Sequence, residues 1–294
     1  MTRLPQIAML PDGKRLHLQD GPIDLIIEAS GAAPDVCAAY QAASRRLTGL
    51  LDELCAELVE LRQPAAPAYC ALQGVVARRM HAAVAPYAQD CFITPMAAVA
   101  GAVAQEILGA MCEAAPLDRA YVNNGGDIAL HLGRGEQFRV GLMDRLDAEG
   151  VMRTMVIDAD QSSRGVATSG RHGRSFSLGI ADAVTVLAKT AAGADAAATI
   201  IANAVDLPNH PAIIRCPANE LQSDSDLGSR LVTRDVGGLS AGEIEEALAA
   251  GEARARELFA TGLIDAAALC LLGETRIVGA RKPRGLRERV LENA

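Results

Sequence analysis

The chain has 294 residues, half of them hydrophobic and 22% charged, a balance that fits a folded core and excludes a disordered chain. Its formal charge is −8, only 3% of residues are aromatic and Trp is absent. It therefore lacks the cationic surface that nucleic acid or an anionic membrane requires, and the stacking platforms of a single-strand binder. Ala makes up about a fifth of residues, well above ordinary usage. The most apolar stretch, 92–112, is interrupted by Pro95, Gln105 and Glu106. A membrane span needs about 20 strongly apolar residues, so none is expected. Residues 1–11 have one Arg and no long apolar run, which argues against a secretory signal. Seven cysteines, none in a C-x-x-C pair, fit a reducing cytoplasm better than a disulfide framework or zinc site.

In chain order, residues 6–10, 15–19 and 23–29 read as a three-strand meander around the turns Pro11-Asp12-Gly13 and Asp20-Gly21-Pro22. Residues 34–61 have Leu47, Leu50, Leu51, Leu54 and Leu58 at helical spacing. A Pro-rich stretch, 63–67, ends that helix. Helices are expected at 75–84 and from Pro95 to about residue 114, the latter rich in small residues. Strands follow at 120–123, 128–132, 138–143, 152–157, 165–168 and 183–188. A helix is expected at 193–204, a loop-rich stretch at 206–229, a long helix at 243–259, and a closing hairpin at 266–272 and 276–280. The basic stretch 281–289 reads as solvated. Regular β-α-β alternation is missing, so the expected fold is α+β, with antiparallel sheets and packed helices. Strands, helices and strands recur about twice, which suggests two similar halves within a single domain spanning 1–294.

Four segments carry candidate chemistry. Asn123-Asn124-Gly125-Gly126-Asp127 is a polar turn between apolar strand residues. It reads either as a hairpin turn or as backbone that a phosphate can approach closely. Thr168-Ser169-Gly170-Arg171-His172 reads as a surface loop, or as a donor-rich segment whose Arg171 and His172 meet an anion. Asp195 and Thr199 stand one helical turn apart. They can share an oxygen-seeking cation such as Mg²⁺, or Asp195 can simply favour a helix start. Ser223-Asp224-Ser225-Asp226 reads as a turn or a cation ligand. His131, in an apolar strand, reads as structural.

In this order, Asn124-Gly125-Gly126-Asp127-Ile128, Ala167-Thr168-Ser169-Gly170, Thr185-Val186 and Ala194-Asp195-Ala196-Ala197-Ala198-Thr199 resemble the ApbE-like family of FAD:protein FMN transferases, as a divergent branch. The resemblance spans about residues 95–204. It implies two T-fold-like halves with FAD or FMN in a cleft between them. It implies Mg²⁺ held by Asp195, Thr199 and the Ala98 carbonyl. It makes Asn123, Asn124, Gly125, Gly126, Asp127, Thr168, Ser169 and Gly170 flavin-nucleotide contacts. Two departures bear on catalysis. Gly101 stands where the family has a Lys, and residues 171–184 hold no equivalent of its His-Ile-Ile-Asp-Pro stretch. The expected function is flavin-nucleotide binding with Mg²⁺, with FMN transfer or FAD pyrophosphate cleavage as its chemistry. The alternatives are a non-catalytic flavin carrier or sensor, or a T-fold protein that binds a pterin or purine-like ligand. The alanine-rich faces would suit a homodimer.

Overall fold

The computed structural model describes residues 4–142 and 153–279. The chain opens with strands β1 (Gln6–Met9), β2 (Leu16–Asp20) and β3 (Ile23–Ser30). Helices α1 (Ala33–Leu47), α2 (Leu50–Ala56), α3 (Leu58–Leu61) and α4 (Val75–Val84) follow. The single helix expected over 34–61 is thus three pieces, broken at Thr48-Gly49 and at Glu57. A 3₁₀ turn, Pro95–Ala98, leads into α5 (Val99–Ala114).

Next come β4 (Arg119–Asn124), β5 (Asp127–Leu132), β6 (Gln137–Leu142), β7 (Arg153–Asp158), β8 (Gly165–Ser169) and β9 (Ala183–Ala188). The chain continues through α6 (Ala191–Ala204), β10 (Ile213–Pro217), α7 (Ala218–Leu221) and β11 (Leu231–Val236). Helix α8 (Ala241–Ala260) and strands β12 (Ala266–Leu271) and β13 (Glu274–Val278) close the described chain. Strand β10 falls in the stretch expected to be loop, and its partner β11 lies just beyond it. The expected strand ends at Met143, Met152 and Ala280 and the stretch 281–289 lie outside the described residues.

Nine strands form one antiparallel sheet in the order β1-β2-β3-β4-β5-β8-β9-β12-β13. Within it a hairpin, helices and a second hairpin occur twice. The first unit is β2-β3, α1, α5, β4-β5; the second is β8-β9, α6, α8, β12-β13. The expected α+β fold with two like-ordered halves is therefore the observed one, and β5 pairs with β8 at the seam.

The helices cover one face in the order α1, α5, α6, α8. Alternation decides which side chains meet them: Leu16, Leu18, Leu25, Ile27 and Val122 are buried beneath the helix layer. The 95–114 helix is long and apolar enough to cross a membrane by length and composition. Here it is a core helix, burying Val103, Ile107 and Met111 between its neighbours and the sheet. Its one acid facing other helices, Glu106, accepts hydrogen bonds from Arg46 at 2.7 Å and Arg79 at 2.8 Å, tying α1, α4 and α5 together. Burial pushes the Glu106 carboxyl up, but the two guanidiniums outweigh it and hold it below its ordinary range. The opposite face of the sheet carries a smaller cluster, Leu130, Val166 and Leu187 with Ile157 of the β6–β7 hairpin. Tyr121 and Phe138 meet there edge to face at 6.0 Å.

Candidate functional site

Helix α5 begins without a side-chain cap of its own. Its first N–H groups would be orphaned in a buried setting. Asp195, one turn into α6, supplies the acceptor: its Oδ2 lies 2.9 Å from Gly101 N, and the Ala100 N–H also donates to the carboxylate. The helices can approach this closely because position 101 is Gly. A Cβ there would lie 2.3 Å from the Ala191 carbonyl oxygen. Asp195 therefore finishes α5, in the other half, rather than favouring the start of α6, whose own cap is Thr190 accepting from Gly193 N.

Asp127, the first residue of β5, faces the same spot. Its Oδ1 accepts from Thr168 N at 3.2 Å across the seam, and its Oδ2 has no hydrogen-bond partner among the described residues. Burial pushes the Asp127 carboxyl up to about 7. Burial, and then the charge of Asp127, drive Asp195 well above its ordinary range. Two half-buried acids, one from each half, thus face the positive end of α5.

The turn above them is a hairpin turn, as the dipeptide Asn-Gly implies. Gly125 and Gly126 both have positive φ, 65° and 114°. Asn123 Oδ1 accepts from Gly126 N at 2.8 Å, and Asn124 Nδ2 donates to the Ala100 carbonyl at 3.2 Å. Both side chains are therefore engaged in holding the turn and α5. Arg174 lies over this turn: a Cβ at Gly125 would be 3.3 Å from its guanidinium. It also bonds Asp24 at 3.2 Å, and Asp24 holds His17 Nε2 at 2.8 Å. The His17 hydrogen bond, helped by Arg174 and opposed by burial, holds the Asp24 carboxyl below its usual range. The sequence reading missed this trio. The signal for it was a glycine-rich loop carrying Arg171, His172 and Arg174 within four residues.

Ala98 is the N-cap residue of α5 and fully buried, and Thr199 stands half-buried one turn beyond Asp195. Thr168 Oγ1 pairs with Thr185 Oγ1 at 2.9 Å on the far face, while Gly170 packs against the backbone of Asp182. Arg171 and His172 read from sequence either as part of a surface loop or as contacts for an anion. Arg171 bonds Asp182 at 2.7 Å, and His172 lies 3.4 Å from the same carboxylate, which also accepts from Leu272 N. Asp224 pairs with Arg62 and Asp226 accepts from Thr94, so the Ser-Asp run is a tied turn. His131 bonds the Leu117 carbonyl at 3.0 Å, the structural role expected. Among the described residues, no three His, Cys, Asp or Glu side chains gather as a metal cluster. A cavity of about 940 Å³ lies beside α1, away from the seam.

Fold and site define an α+β protein of two like-ordered halves with a pair of half-buried acids at their seam. The chain belongs to the family described as AbpE bacteria, whose sequence model matches residues 7–277. It is similar to UPF0280 proteins. The one from Methanothrix thermoacetophila is 40% identical over 116 residues, which is 38% of this chain and 46% of the relative. The one from Methanopyrus kandleri is 37% identical over 129 residues, 44% of this chain and 48% of the relative. The chain spans about half the length of these curated relatives.

Proposed function

We propose that the seam binds a flavin nucleotide together with Mg²⁺. The observation that carries this reading is the half-buried pair Asp127 and Asp195: Asp195 accepts from Gly101 N at 2.9 Å, Asp127 accepts from Thr168 N at 3.2 Å across the same seam, and the charge of Asp127 acts on Asp195. The donors fit the ion: two carboxylates and the Thr199 hydroxyl are hard oxygen ligands, the kind Mg²⁺ takes. When bound, the ion supplies charge neutralisation for phosphates.

This chain's own residues do the rest. Asp127 and Asp195 hold the cation, and Asp195 at the same time fixes the start of α5. Arg174, 66% exposed at its side chain and lying over the turn, meets the phosphate as a charge-assisted donor. The N–H groups of Gly126 and Thr168 are already paired, so they position the turn and the acid rather than the nucleotide. The resemblance to ApbE-like proteins supplies the flavin.

One observation favours binding without efficient transfer. The loop after β8 spends Arg171 and His172 on Asp182, and Gly101, not a Lys, stands in the alanine segment that opens α5. The test is titration of FAD in Mg²⁺ with the parent chain and with Arg174→Gln. The reading expects a saturable complex that Arg174→Gln weakens at least tenfold, about 1.4 kcal/mol. No complex with FAD or FMN would overturn it. Mass spectrometry of an added acceptor protein should show little FMN attached.

A further inference from the structure

The cavity beside α1 has a floor that the fold leaves uncovered. Strand β1 pairs with β2 in the register Ile7 to Leu18 and Met9 to Leu16. Directly paired residues share a face, so Ile7 and Met9 lie on the helix-bearing side of the sheet. Leu16 and Leu18 are 5% and 0% exposed there, yet Ile7 and Met9 are 53% and 49% exposed, because α1 ends its cover at β2. The wall is the side of α1 carrying Val36, Tyr40 and Ser44, successive turns of one helix stripe. Tyr40 pins wall to floor: its hydroxyl donates to the Lys14 carbonyl at 2.5 Å and accepts from Ala29 N at 3.2 Å.

The rim is cationic, although the chain as a whole is anionic. Lys14, Arg45 and Arg119 line the cavity against a single acid, Glu28. Arg119 is engaged by Phe138 and Glu136, and Glu28 accepts from the Tyr121 hydroxyl. Lys14 and Arg45 have no ion-pair partner for their charged groups among the described residues. The volume, about 940 Å³, is in the range of small-molecule sites, roughly 300–1,000 Å³.

We propose that this groove is a second binding site, for a small amphipathic anion: an apolar body on Ile7, Met9 and Val36, and one carboxylate or sulfonate head between Lys14 and Arg45. The site is separate from the seam and does not depend on what the seam binds.

The probe is 8-anilinonaphthalene-1-sulfonate, titrated by fluorescence into the full chain, with decanoate as a competing carboxylate. N-phenyl-1-naphthylamine, the same rings without the sulfonate, serves as the neutral control. The expected result is one saturable site that decanoate displaces. Removing both charges, Lys14→Gln with Arg45→Gln, should weaken the sulfonate at least tenfold and leave the neutral probe within about twofold. Ile7→Asp, at an already exposed position, should abolish both, with the thermal midpoint unchanged as the check on folding. Equal sulfonate binding by parent and double variant overturns the proposal, as does the absence of a saturable site. A stable dimer by sedimentation that excludes the probe, and admits it only on dilution to monomer, also overturns it. The groove is then an interface between two copies.

Discussion

The half built on β2–β5 and the half built on β8, β9, β12 and β13 run through the same elements, yet they finish their helices differently. In the second half α6 follows β9 after only Lys189 and Thr190 and is capped by Thr190 itself. In the first, α5 begins uncapped and takes its acceptor from Asp195 across the seam. The outer edges also differ. Helix α8 packs over β12 and β13, whereas α1 leaves β1 bare. The difference teaches that the seam ties the stability of one half to the other: the carboxylate that completes α5 comes from α6 across it.

The largest expected effect comes from pushing the halves apart. Gly101→Ala places a Cβ 2.3 Å from the Ala191 carbonyl oxygen, against the Ala191–Ala192 peptide backbone, which cannot swing aside. It should cost roughly 3 kcal/mol or more in urea unfolding, at or above the upper range for overpacking. A change under about 1 kcal/mol would mean that the two helices separate easily.

A smaller effect is set by pH. An acid whose folded pKa is raised stabilises the fold below its unfolded value and loses that contribution as pH rises through the folded value. Asp127 moves from 3.8 to about 7, and Asp195 moves the same way. Without Mg²⁺, stability should therefore fall between about pH 4 and pH 7, by at most roughly 1.4 kcal/mol per unit and per acid. Asp24 and Glu106, held below their ordinary values, act with the opposite sign and below that window. Asp127→Asn should flatten the slope. An unchanged slope in chemical denaturation would show that the pair does not share one environment.

Removing the cross-seam cap, Asp195→Ala, should cost about 1–2 kcal/mol, the usual value of a helix cap. Hydrogen exchange should rise first at Gly101, in α5 rather than α6. Protection lost from α6 instead would contradict the assignment. The smallest effect belongs to Ser240→Ala, which breaks the capping box of α8, where Ser240 N donates to Glu243 at 2.7 Å. It should cost about 0.5–1 kcal/mol and leave FAD affinity unchanged, because Ser240 and Glu243 bond each other and His210, not Asp127 or Asp195.

The sequence reveals the fold where the pattern is local. Alternation in β2–β5 and the Leu spacing before residue 61 are visible, and so is the recurrence of strands, helices and strands. The break at Thr48-Gly49 and the β10–β11 ribbon are not, because each depends on what the segment packs against. In the site, Gly125-Gly126 and Asp195 are legible as motifs. The pairing of Asp127 with Asp195, and Arg174 above the turn, need residues 68 and 49 positions apart to be folded together. Spacing within a motif carries no information about that. It also hides that Asn123 and Asn124 are spent on the backbone, a matter of which N–H groups and carbonyls lie within reach.

The most direct test of the account is calorimetric titration of FAD into the parent chain and Asp127→Asn, each in Mg²⁺ and in chelator. The account predicts that chelator weakens the parent at least tenfold and that Asp127→Asn binds weakly under both conditions, with the folded state intact by circular dichroism. Equal affinity in Mg²⁺ and chelator for both proteins, or no heat with FAD at all, would contradict it and leave Asp195 as the cap of α5 alone.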